Sequence, residues 1–177
     1  MLTLSDYSEQ VEVVCRIGIA DGAVVSRPDR LRTSGLGSCV GLVMYDVLTG
    51  LSGMVHVMLP TAPADFAERL RVDGVKPQKY ADSAVLWLVS ELQNRGSTIR
   101  NLRAKMAGGA QMFASAGRSD VLRVGPRNVE AVETALTGCS IPLLAKDVGG
   151  TEGRTIEFDS QTQLLSVRTA KSGTFTI

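Results

Sequence analysis

The sequence contains one histidine, His56, and three cysteines, Cys15, Cys39 and Cys139. Any chemistry that needs an imidazole has to run through His56, with a nucleophile brought to it by the fold. Cys15 falls in an alternating apolar stretch and Cys139 just beyond a helix end, places where a free cysteine serves as a small buried hydrophobe. Cys39 differs. Gly35-Leu36-Gly37-Ser38 precedes it and an apolar run follows, so its sulfur emerges at a loop-to-strand junction lined by backbone amides. Gly37 and Ser38 are the residues expected to supply that loop, whose amides can hold an oxyanion. A free thiol ionises only near ~8.5, so a neighbouring imidazole is needed to make it a nucleophile at neutral pH. The same imidazolium can protonate a leaving ammonia or amine, after which water hydrolyses the thioester. A packed hairpin holding a buried cysteine and a histidine at its polar edge reads the same residues without chemistry, and spacing alone leaves both readings open.

The elements that must position these residues follow from periodicity. Val40 to Tyr45 is apolar apart from Gly41, as in a strand buried on both faces. Asp46 to Gly50 turns the chain, and Leu51 to Leu59 returns with Met54, His56 and Met58 on one face and Gly53, Val55 and Val57 on the other. That hairpin carries Cys39 near Leu59, a few residues from His56. Upstream, Val11 to Ile19 alternates as a first strand, Ala23 to Ser26 is a short second one, and a loop leads into Thr33. Downstream, Asp65 to Lys79 reads as a short helical or irregular excursion. A helix then spans Gln78 to Arg95, with Ala81, Ala84, Val85, Leu88 and Leu92 as its apolar stripe and Leu86, Trp87 and Val89 widening it.

Leu102 to Ala107 is an inner strand that ends on Gly108-Gly109, where positive φ or close approach calls for glycine. Gln111 to Ser119 shows no pattern. Pro126 suits the first turn of a second helix with Val129, Val132 and Leu136 on one side and Gly138 at its stop. Ile141 to Val148, Arg154 to Phe158 and Leu164 to Thr169 are strands. Strands outnumber helices and do not alternate with them. A single domain over residues 1–177 is expected, a layered α/β fold with a mixed or antiparallel sheet rather than a doubly wound one.

Composition narrows the function classes. A chain of 177 residues buries roughly 70% of its unfolded surface and needs no staples. Nineteen Lys and Arg against eighteen Asp and Glu leave a net charge of +1, which gives no electrostatic case for nucleic acid as the partner. The odd cysteine count without a Cys-x-x-Cys pair points to a reducing cytosol, and no metal site or bound cofactor is expected from one histidine and scattered carboxylates. Neither a signal peptide nor a membrane-inserted segment of roughly 18 apolar residues is present, so a cytoplasmic location is expected. Neither glycine-rich stretch completes a phosphate loop or a dinucleotide fingerprint.

Five segments in order resemble the CheD family, the chemoreceptor glutamine deamidases of bacterial and archaeal chemotaxis. They are Thr33-Ser34-Gly35-Leu36-Gly37-Ser38-Cys39-Val40, Gly53-Met54-Val55-His56-Val57-Met58-Leu59-Pro60, Lys105-Met106-Ala107-Gly108-Gly109-Ala110-Gln111-Met112, Val124-Gly125-Pro126-Arg127-Asn128 and Asp147-Val148-Gly149-Gly150-Thr151-Glu152-Gly153-Arg154. The resemblance implies that Cys39 is the nucleophile, His56 the general acid and base, and Thr33 the third catalytic position, its hydroxyl orienting the imidazole. It implies an α/β/β fold similar to toxins that deamidate small GTPases. The implied substrate is a glutamine of a methyl-accepting chemotaxis receptor, converted to glutamate, with methylesterase activity on the same acyl-enzyme route. It also implies a CheC-type phosphatase as partner, docking around Met112 and Phe113, while Ala114 to Leu122 carries no family signature. Two other functions stand beside it. One is a docking module that regulates such a phosphatase or the receptor array without turnover. The other is a redox-sensing thiol, for which no resolving cysteine is evident.

Overall fold

The computed structural model describes residues 11–111 and 123–177. Ten strands and three α-helices appear among them: β1 Val14–Ile17, β2 Gly22–Val25, β3 Arg30–Leu36, β4 Val40–Asp46, β5 Ser52–Val57, α1 Phe66–Val72, α2 Ala81–Asn94, β6 Leu102–Gly108, α3 Val124–Gly138, β7 Leu143–Val148, β8 Arg154–Asp159, β9 Leu164–Thr169 and β10 Gly173–Thr176. They form two mixed five-stranded sheets. The outer sheet has the order β1-β3-β8-β9-β10 and the inner sheet β2-β5-β4-β6-β7. Most neighbours are antiparallel; β1 with β3 and β6 with β7 are parallel.

Two cores define three layers. Val40, Leu42 and Met44 of β4, Val55 and Val57 of β5 and Leu102, Ala104 and Met106 of β6 face α2 and α3. Alternation sends the intervening residues, Val43 and Tyr45 of β4, Met54 of β5 and Ala107 of β6, to the opposite face, where they meet Leu31, Leu36, Ile156, Phe158, Leu165 and Val167 of the outer sheet. Helices, inner sheet and outer sheet therefore stack as α/β/β, as expected. The inner sheet is buried on both faces, which is why β4 reads as an unbroken apolar run. The outer sheet turns its second face to water: Arg30 and Arg32 of β3 there pair with Glu157 and Asp159 of β8.

The structure departs from the sequence expectations in particular places. The stretch expected to be a loop into Thr33 is β3, running Arg30–Leu36 through Ser34 and Gly35, and its register against β8 shifts between Thr33 and Leu36. Two arginines and a Ser-Gly pair disguise a strand whose outer face is solvated and whose inner face carries only Leu31, Thr33 and Leu36. A tenth strand, β10, was not expected; it is short and exposed along its whole length, so it carries no burial pattern to detect. In α2 the stripe of Ala81, Ala84, Val85, Leu88 and Leu92 is buried as expected, while Leu86, expected to widen it, is 61% exposed. The segment 65–79 contains α1, which buries none of its residues. Met112, Phe113 and 114–122 lie outside the described residues.

Candidate active site

The hairpin register brings the strand of His56 against the strand that follows Cys39. Val40 pairs with Val57 and Gly41 with His56. Cys39 lies one step beyond the last pair, two residues from Gly41 and so on the same face of β4 as His56 is of β5. That face looks into the space between the sheets, where Cys39 packs partly buried against the inter-sheet core. A diagonal relation of this kind in an antiparallel pair spans about 7–8 Å between Cα atoms, within reach of a long or aromatic side chain. Gly41 leaves the room: a Cβ there would sit 2.5 Å from Ile156 Cδ1.

Thr33 arrives from the other sheet. Its Oγ1 lies 2.8 Å from His56 Nδ1 and 2.8 Å from the carbonyl oxygen of Ile17. A hydroxyl has one proton, and a carbonyl can only accept, so Thr33 donates to Ile17 and accepts from His56 Nδ1–H. This fixes the neutral tautomer with the lone pair on Nε2. Nε2 is buried and has no hydrogen-bond partner. His56 is 0% and Thr33 2% exposed, so the bridge is shielded from water. The backbone of His56 is held as well, its N–H donating to Asp21 O and its carbonyl accepting from Ala20 N–H.

Burial sets the resting charges. It pushes the His56 pKa below its ordinary 6.5 and the Cys39 thiol above its ordinary 9.0. Both effects disfavour an ion pair. Burial thus favours the thiol beside a neutral imidazole.

The loop between β3 and β4 is fixed by its carbonyls. Gly37 O accepts from Ala110 N–H, Ser38 O from Asn128 Nδ2 and Cys39 O from Gly109 N–H. The Gly37 amide is used locally, donating to Gly35 O, whereas the amides of Ser38 and Cys39 donate to no carbonyl among the described residues. Of the expected loop residues, then, Ser38 has an amide that meets no carbonyl among the described residues, and the amide of Gly37 serves the turn. Gly108 and Gly109 make the close approach possible. Both have positive φ, and a Cβ on Gly108 would fall 2.2 Å from Cys39 O. Arg154, 8% exposed, secures the adjoining turn through Asp147 Oδ2 at 2.7 Å and the carbonyls of Gly149 and Glu152.

Three sequence expectations thus converge in space, Cys39 and His56 on one sheet face and Thr33 across from them. Cys15 also packs against the inter-sheet core and Cys139 against the helical one, as small hydrophobes. One residue at this site was missed. Asn128, which enters the sequence analysis only as the end of Val124-Gly125-Pro126-Arg127-Asn128, is fully buried beside the Cys39 loop. The detectable signal is a polar residue within the buried stripe Gly125, Asn128, Val132 and Leu136 of α3. Among the described residues no group of three His, Cys, Asp or Glu could hold a metal ion, and no helix is long and apolar enough to cross a membrane.

Comparison with known proteins identifies the family. Residues 58–169 match the model of the family described as CheD chemotactic sensory transduction. The chain is 49% identical over 155 residues to the probable chemoreceptor glutamine deamidase CheD of Oceanobacillus iheyensis, covering 88% of this chain and 90% of that one. It is 48% identical over 160 residues to the chemoreceptor glutamine deamidase CheD of Halalkalibacterium halodurans, covering 90% and 96%. With the Bacillus subtilis chemoreceptor glutamine deamidase CheD it shares 44% identity over 165 residues, covering 93% and 96%. Near-complete coverage at these identities makes this protein a member of the CheD family.

Proposed function

We propose that this chain is a chemoreceptor glutamine deamidase that hydrolyses a glutamine side-chain amide through a thioester on Cys39. The observation that carries the reading is the Thr33 hydroxyl, which accepts from His56 Nδ1–H while its own proton is committed to Ile17, leaving a buried Nε2 lone pair on the sheet face of Cys39. In the first half-reaction His56 Nε2 takes the thiol proton as Sγ bonds to the amide carbon. The oxygen becomes an oxyanion facing the amides of Ser38 and Cys39. Collapse breaks the carbon–nitrogen bond, and the imidazolium gives its proton to nitrogen, which leaves as ammonia. In the second half, water gives a proton to His56 and its oxygen to the thioester carbon. The carbon–sulfur bond breaks, Sγ recovers the proton, and the side chain is now glutamate. A glutamyl methyl ester, with methanol as leaving group, fits the same sequence of steps.

The test is ammonia release and a mass increase of about 1 Da per site on a purified chemoreceptor cytoplasmic fragment, the exchange of amide for acid that the acyl-enzyme route entails. Wild type should turn over while Cys39→Ser and His56→Ala do not. Turnover that survives in Cys39→Ser would overturn the thioester route. An inactive wild type that still binds the receptor fragment would favour a docking role for the same cleft.

A further inference from the structure

Two of the carbonyls that anchor the Cys39 loop, those of Gly37 and Ser38, belong to the same peptide units as the amides that donate to no carbonyl among the described residues. A trans peptide is planar, and its C=O and N–H point in opposite directions. Holding Gly37 O through Ala110 N–H therefore aims the Ser38 amide, and holding Ser38 O aims the Cys39 amide. The second task falls to a side chain. Asn128 Nδ2 donates to Ser38 O at 2.9 Å and to Met58 O at 3.0 Å, joining the nucleophile loop to the chain two residues beyond His56. The two carbonyls require the amide nitrogen between them, which leaves Oδ1 buried without a partner. A position needed only for packing in this stripe takes an apolar residue, as Val132 and Leu136 show. Gly125 lets the start of α3 come close enough, since a Cβ there would lie 2.5 Å from Ala110 O.

We infer that Asn128 is a positioning residue of the oxyanion site, aiming and polarising the Cys39 amide through the carbonyl at the other end of its peptide plane. The inference rests on the deamidase reading above. Donation to Ser38 O also draws electrons along the peptide and makes the Cys39 N–H a better donor. The role is expressed when negative charge develops on the substrate oxygen, so it should appear in kcat rather than in KM.

Asn128→Asp replaces both donors with acceptors at the same volume, and Asn128→Ser removes the bridge without placing a carboxylate in the core. If the aspartate variant fails to fold by circular dichroism, the serine variant carries the test. Three rates are compared with wild type: kcat and KM for ammonia release from the receptor fragment, and alkylation of Cys39 by iodoacetamide, which forms no oxyanion. Outright loss of one oxyanion donor lowers kcat by about 10²–10³-fold, so a donor kept but no longer aimed should cost about 10–100-fold. KM and the alkylation rate should stay within about threefold, because ground-state binding and thiol access are untouched. The inference is overturned if kcat stays near wild type, or if kcat and alkylation fall together, which would make Asn128 a packing residue. An inactive wild type would overturn the deamidase reading and this inference with it.

Discussion

Replacing Thr33 by valine removes one oxygen and nearly nothing else, and its consequences can be worked through. Two bonds of 2.8 Å disappear, leaving His56 Nδ1–H without a partner in a space that water does not reach. An unsatisfied buried group costs about 1–3 kcal/mol, so stability should drop by about that amount. For a chain of this length that is a fall in Tm of roughly 2–12 °C. Catalysis responds through the tautomer. With the acceptor gone, the ring is no longer held with its lone pair on Nε2, and one neutral hydrogen bond of about 0.5–1.5 kcal/mol together with the lost ring orientation should reduce kcat about 10–100-fold. This is far less than the ~10⁴-fold loss seen when a buried carboxylate orienter of a serine protease triad becomes an amide. A hydroxyl contributes direction and little charge stabilisation. The assay is steady-state ammonia release beside thermal unfolding, with Thr33→Ser as the control that restores the hydroxyl and should regain activity to within about threefold of wild type. A Thr33→Val enzyme that melts lower yet keeps wild-type kcat would refute the orienting role. A serine variant as slow as valine would refute it equally.

Two further outcomes follow from burial and close approach. His56 must be neutral to take the thiol proton, and burial depresses its pKa, so kcat/KM should have its acid limb below 6.5 and hold until the thiol ionises above 9.0; a pH–rate profile with its acid limb above 7 would contradict this. The same shift acts on stability, because the unfolded chain binds a proton at 6.5 that the folded chain takes up only at lower pH. The contribution is whole above 6.5 and is lost as pH falls toward the depressed value, so denaturation midpoints should be lower at pH 5 than at pH 7. Gly108→Ala would force a Cβ against Cys39 O at 2.2 Å from a residue with φ of 122°, and the nucleophile loop would have to move. A loss of more than about 3 kcal/mol in chemical denaturation is expected from the combined clash and backbone strain, and a variant as stable as wild type would show that the loop yields freely.

The legible part of this molecule was the part whose burial is one-sided or complete. β4 and β5 announce themselves through an apolar run and an alternating return, and the faces assigned to Met54, His56, Val55 and Val57 are those observed. The stripe of α2 was read residue by residue. β3 was opaque because its polar residues are not in a loop at all; they lie on the wet face of the outer sheet, where Arg30 and Arg32 meet β8 carboxylates from more than a hundred residues away. For the same reason the residues alone could place Cys39 near His56, through a hairpin, but could not bring in Thr33, whose role came only from family likeness. The contact between Thr33 and His56 is a product of sheet stacking. Asn128 escaped notice because its partners are backbone carbonyls, which leave no signature in side-chain spacing.

Strand order gives the outer sheet a temporal property. β3, which carries Thr33, is flanked by β1 from the beginning of the chain and β8 from its last quarter, with Thr33 itself opposite Ile156. A ribosome has therefore released the cysteine, the histidine and the threonine long before the neighbour that seats the threonine exists. Pairings of such long sequence separation form late. The half-made polypeptide has Cys39 and His56 brought together by one hairpin while Thr33 still lacks its β8 neighbour, so the proposed site is completed only by the closing strands.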